Sequence, residues 1–172
     1  PDDCEPSVDQ LTAIHWLVFV AKMLPYVDFG VFGPHSVRMI RKLKLTGMVL
    51  SASGQLHHAE MSGPSSFEQW DSCAAVLHVA FIMLKVTTHS GFDLYRNHIK
   101  QYAGRYGADC WPLIYQADVR ARRELAERVR RNLAREGKPL INGLPVAMQW
   151  DLVYRALPDE FGFWKREVED PS

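Results

Sequence analysis

The sequence predicts a mainly α-helical protein, a single-domain bundle of about six or seven helices with one small β-hairpin. Three observations lead there. Long segments repeat apolar residues at helical spacing, capping signals and prolines punctuate them at helical lengths, and only one short stretch, 48–61, looks like paired strands. At 172 residues and 47% apolar composition the chain suits one domain, able to bury roughly 70% of its unfolded surface.

The elements follow in order. Ser7 with Gln10 three residues on is a capping-box signal and Pro25 is a stop, so 8–24 is predicted helical. That segment is apolar nearly all round, which implies deep burial or a covering partner. Pro34 opens a second helix, 34–45, ended by Gly47. Strands at 48–50 and 56–61 flank Ala52-Ser53-Gly54-Gln55 as a hairpin. Ser65 and Glu68 form another capping signal before a helix over 67–86, whose second half has almost no polar face and is expected to form the centre of the core around Ala80. Ser90 with Asp93 opens the next helix, in which Leu94, His98, Ile99, Tyr102 and Tyr106 share a side, and Gly107 ends it. Asp109 is the expected cap of a long helix, 111–136, where Pro112 fits the first turn and Gly137 and Pro139 form the stop. Pro145 starts a helix through 157, and Pro158 separates it from a terminal segment with Phe161, Phe163 and Trp164. No internal repeat or low-complexity tract interrupts these elements.

The long helix is the most informative segment. It carries seven arginines against four acids, and at about 100° per residue Trp111, Tyr115, Leu125, Val129 and Leu133 form one stripe. Asp118 and Arg122 fall inside that stripe. A charged i, i+4 pair at apolar positions is a packing or recognition device, and the expectation is a structural ion pair at the rim of the core, with the arginine stem laid along apolar neighbours. The sharper reading is a desolvated pair that fixes register.

Composition restricts the function. Twenty basic and twenty acidic residues cancel, so any attraction to nucleic acid must be local. Two stretches could supply it: Arg38, Arg41, Lys42 and Lys44, which lie together without an acid, and the outer arginines of the long helix, Arg128 and Arg131 among them. Glu124 and Glu127 are spaced to pair with Arg128 and Arg131, which reads as a self-paired solvated face and places more weight on the first stretch. Three cysteines, Cys4, Cys73 and Cys110, have no close spacing, so neither a disulfide framework nor a zinc finger is indicated and an intracellular setting is expected. The longest apolar runs, about 12 residues, fall short of the ~20 that a membrane span needs. The absence of an initial methionine suggests a segment of a longer polypeptide.

No local catalytic or cofactor motif is present. Asp28-Phe29-Gly30 matches the kinase magnesium triplet without the rest of the kinase signature, and reads as structural. Adjacent strand residues His57 and His58 point to opposite faces, His78 and Cys73 lie off the i, i+4 spacing, and no metal site or cofactor is expected. His78 reads as a hydrogen-bonded core histidine.

The landmarks FEQWDSCAAVLHVAFIML, Tyr106-Gly107, WPLIYQADVRARRELAERVRR and DEFGFWKREVEDP resemble a family of uncharacterised proteins, multi-copy in protist genomes and often in mobile-element-like reading frames. The likeness runs over 25–171. It implies a non-enzymatic helical part of such an element, comparable by analogy to retroelement capsid-like domains, since protease, integrase, polymerase and zinc-knuckle motifs are lacking. The expected function is therefore a non-enzymatic assembly or nucleic-acid-associated domain, with nucleic acid and self-association as partners and no membrane. The alternatives are an enzyme with a dispersed polar site, to be sought at His35, His78 and Asp118, and a protein-interaction module using aromatics near Trp150, Phe161 and Trp164.

Overall fold

A computed structural model describes residues 5–20, 26, 29, 48–50, 56–58, 63–136 and 146–171. The protein is mainly helical. Among the described residues there are six helices: α1 (Val8–His15, continued by a wide π turn, Trp16–Val20), α2 (Phe67–Met83), α3 (His89–Tyr106), α4 (Trp111–Arg120, Ala121–Leu125 and Ala126–Arg135 in one run), α5 (Val146–Ala156) and α6 (Phe161–Trp164, continued by a π turn, Lys165–Glu169). Two three-residue strands, β1 (Met48–Leu50) and β2 (Leu56–His58), pair antiparallel with Val49 opposite His57. The predicted helix at 34–45, the turn at 52–55 and the stops at Pro25, Gly137 and Pro139 lie outside the described residues.

Local hydrogen bonding explains where the helices begin. At α1 the Ser7 hydroxyl accepts from the Gln10 amide and the Gln10 side chain accepts from the Ser7 amide, closing the capping box reciprocally. At α2 the cap is Ser66 rather than Ser65: Ser66 Oγ accepts from the Gln69 amide, while Gln69 Oε1 accepts from Ser65. At α3 the cap is Thr88, two residues before the expected Ser90, and Thr88 Oγ1 accepts from Gly91 N. Asp109 does not cap α4; it lies in a 3-10 turn, Ala108–Cys110, that leads directly into Trp111.

Helix α2 stops at Met83, short of the predicted 86. Lys85 takes a left-handed conformation at φ 57°, Lys85 N donates to Ile82 O and Val86 N donates back to Phe81 O, while the Val86 side chain is buried. This is a Schellman ending with lysine at the position usually held by glycine, so it carried no sequence signal.

Of the two expectations for α1, deep burial does not hold over its described residues. Gln10, Ile14 and Val18 face inward, whereas Val8, Trp16 and Val20 are exposed, so a nearly all-apolar sequence is only half covered. Helix α2 buries Trp70, Cys73, Ala74, Val76, Leu77, His78, Ala80 and Phe81. It shares the core with α3, the helix against which α2, α4 and α5 all pack. The reason is a stripe on α3, Phe92, Tyr95, Ile99 and Tyr102, buried at helical spacing and meeting Phe81, Tyr154 and Trp164 in edge and tilted ring contacts. Gly91 allows α5 to approach the start of α3, since a Cβ there would overlap Asp151 Oδ1.

Candidate functional site

Helix α4 has two chemically distinct faces. On the inner one, Asp118 and Arg122 are 0% and 1% exposed, so the pair sits inside the core and not at its rim. Arg122 Nη2 donates to Asp118 Oδ2 at 2.8 Å and Arg122 Nε lies 3.0 Å from Oδ1. Trp70 Nε1 of α2 and the Tyr95 hydroxyl of α3 also donate to this carboxylate, at 2.9 and 2.6 Å. The guanidinium lies 3.8 Å from the Phe29 ring centroid and 5.3 Å from that of Tyr26. One carboxylate thus ties three helices together, and one guanidinium is flanked by aromatic faces that suit a delocalised cation.

The electrostatics follow from burial. Burial opposes the charge on Arg122, but the Asp118 charge and hydrogen bonds outweigh it and hold Arg122 above the ordinary arginine value. Burial, then the Asp118 charge, pushes the Tyr95 phenol well above its usual range. The wide turn 121–125, in which Ala126 N donates to Ala121 O, lies beside this pair and lets Ala121, Arg122, Leu125 and Ala126 all face inward.

The outer face carries the arginines. Glu124 pairs with Arg120, and Glu127 pairs with Arg130, so neither acid is spent on Arg128 or Arg131 as the spacing suggested. Arg120 also meets Glu167 from the C-terminal π turn at 2.7 Å. Arg128, Arg131 and Arg135 are exposed and make no ion pair with any described residue. Their spacing, three and then four residues, keeps them on one side of the helix. The other basic stretch, Arg38, Arg41, Lys42 and Lys44, lies outside the described residues, as does His35.

The remaining sequence candidates are structural. His78 is 3% exposed; its Nε2 bonds to His89 O and its Nδ1 to Arg96 Nη1, both at 3.1 Å. Asp118 is fully occupied as described, so neither of the two described residues of the dispersed-site alternative faces solvent. Of the three proposed interaction aromatics, Trp150 and Trp164 are core residues and only Phe161, 74% exposed, is on the surface. Phe29 of the kinase-like triplet is buried against Trp70 and Arg122. Among the described residues no group of acidic, histidine or cysteine side chains could hold a metal ion. An open cleft of about 320 Å³ lies between the start of α2 and the end of α3, lined by Phe67, Trp111, Gly104, Lys100, Ser65 and Ser66 among others, and contains none of the candidate binding or catalytic residues.

Two further polar arrangements depend on contacts between distant segments. Asp151 of α5 accepts from the Thr88 amide and hydroxyl and from Arg155 Nε, and these bonds overcome the effect of burial to hold its carboxyl below the usual range. His98 of α3 packs 4.5 Å from Trp164, with its Nε2 buried and unpartnered among the described residues. Burial lowers its pKa to about 4, against a weaker opposing pull from Asp159. Folding therefore favours neutral His98. Its contribution to stability is complete above the unfolded value near 6.5 and is lost progressively as pH falls from there toward 4. His98→Leu should flatten the pH dependence of the melting temperature in that window; an unchanged slope would mean that His98 titrates alike in the folded and unfolded chain.

No helix among the described residues is long and apolar enough to cross a membrane. No known protein family, curated protein or solved structure matches the chain.

Proposed function

We propose that the protein is a non-enzymatic helical domain associated with nucleic acid, of the kind carried by mobile-element proteins as the sequence resemblance implies. The observation that supports this reading is the row Arg128, Arg131 and Arg135: exposed, without acidic partners among the described residues, and mounted on a helix whose opposite face is held in the core by Asp118 and Arg122. A rigid line of unneutralised guanidinium groups suits phosphate contacts, which are independent of base sequence and release counterions. Arg38, Arg41, Lys42 and Lys44 would extend the same attraction.

Binding to single- and double-stranded oligonucleotides should weaken steeply with salt. Changing Arg128, Arg131 and Arg135 to glutamine should reduce the log–log slope by about one for each phosphate that is no longer neutralised. Arg130→Gln should change it far less, because Glu127 already neutralises that side chain. No detectable binding at low salt would overturn the reading. Weight would then move to protein assembly, a second reading favoured by the exposed Val8, Trp16 and Val20 on α1, and concentration-dependent oligomers would appear in light scattering.

A further inference from the structure

Helices α2 and α3 are joined by a polar chain that runs from the half-exposed Asp71 inward through Arg96 to the buried His78. Asp71 of α2 accepts from Arg96 Nη2 at 2.8 Å, Arg96 Nη1 lies 3.1 Å from His78 Nδ1, and His78 Nε2 lies 3.1 Å from His89 O. The roles in this chain are forced. An arginine can only donate, so His78 Nδ1 must accept, and Nε2 must carry the proton given to the His89 carbonyl. This arrangement exists only while the imidazole is neutral. His89 stacks on His78 at 4.7 Å, and Phe92 meets it edge-on at 5.1 Å, so the imidazole is enclosed by rings on two sides.

We infer that the His78–Arg96 contact is an acid-released latch between α2 and α3: a proton taken up at His78 Nδ1 removes the acceptor of Arg96 and sets two cations side by side, which drives the helices apart here. The charged and titratable groups around His78 are Arg96, His89 and Asp93 of α3, with Asp71 of its own helix behind Arg96. Of these, only the carboxylates could welcome the extra charge. Asp71 is already engaged by Arg96, and the pull of Asp93 is weaker than the combined effect of burial, Arg96 and His89, which hold His78 below the ordinary imidazole value. Arg96 has a second reason to leave, because its Nε is buried without a hydrogen-bond partner among the described residues. The segment that would give way is the short connection through the left-handed Lys85 to the first turn of α3.

The test follows His78 by nitrogen-15 NMR while amide exchange is measured across 78–92 from pH 7.5 downward. At neutral pH His78 should be the Nε2–H tautomer, and it should titrate below 6.5. Protection factors in the first turn of α3 should fall by up to about tenfold for each pH unit between the unfolded and folded values. Arg96→Gln should move the His78 titration up. His78→Gln, which can accept and donate without titrating, should keep neutral-pH protection within a few-fold and lose its pH dependence; if that variant does not fold, the wild-type titration and Arg96→Gln decide. A His78 that titrates at or above 6.5, carries its neutral-state proton on Nδ1, or becomes protonated while exchange protection in α3 stays constant would overturn the latch.

Discussion

Asp118→Ala should destabilise the fold by about 3–5 kcal/mol, because it leaves the Arg122 charge buried without its counterion. The loss is compounded by two stranded donors, Trp70 Nε1 and the Tyr95 hydroxyl, each of which would give up its acceptor inside the core. Urea denaturation with matched m-values measures it, and a cost under about 1 kcal/mol would contradict the burial of the pair. A double-mutant cycle with Asp118→Asn and Arg122→Gln should give a coupling of about 1–3 kcal/mol, beyond the roughly 0.3–0.5 of exposed i, i+4 pairs. An apolar replacement of both residues should recover only part of the loss. In an isolated buried pair such a swap can be neutral, but here Trp70 and Tyr95 would still lack an acceptor.

Ala80→Asp should be of similar or larger effect. Ala80 is 0% exposed on α2, between the buried Leu77 and Phe81. An aspartate there must either remain neutral, at the cost of a buried unbonded carboxyl, or force the core open, and several kcal/mol is enough to unfold a domain of ordinary stability. A variant that kept the parent melting temperature would show that this part of α2 is not core.

The two effects differ in how readable they were. Ala80 sits in the apolar run 79–84, and burial of one side of such a run follows from transfer of apolar surface out of water, whichever helix covers it, while Ile82 and Met83 stay exposed. Asp118 and Arg122 were recognisable as inward-facing from helical periodicity alone. Their depth was not, because what makes a desolvated ion pair tolerable here lies far away in the chain: Trp70 at 48 residues, Tyr95 at 23, and the aromatic rings of Phe29 and Tyr26. The same holds for the arginine row. Spacing offered Glu124 and Glu127 to Arg128 and Arg131, yet the structure joins those acids to Arg120 and Arg130, and Arg120 also meets the distant Glu167.

What the sequence determined by itself is therefore the short-range physics: helical content, the capping box at Ser7, the inward side of α4 and the lack of a local catalytic motif. These depend on residues within about one helical turn of each other. Tertiary structure decided the rest. It ended α2 through a left-handed lysine, made Thr88 the cap of α3 under Asp151, turned Trp150 and Trp164 inward while leaving Trp16 exposed, and freed Arg128, Arg131 and Arg135 of acidic partners among the described residues. Each of those outcomes depends on which surfaces meet, and a hydrogen bond or buried contact between distant segments has no signature in the spacing of either one.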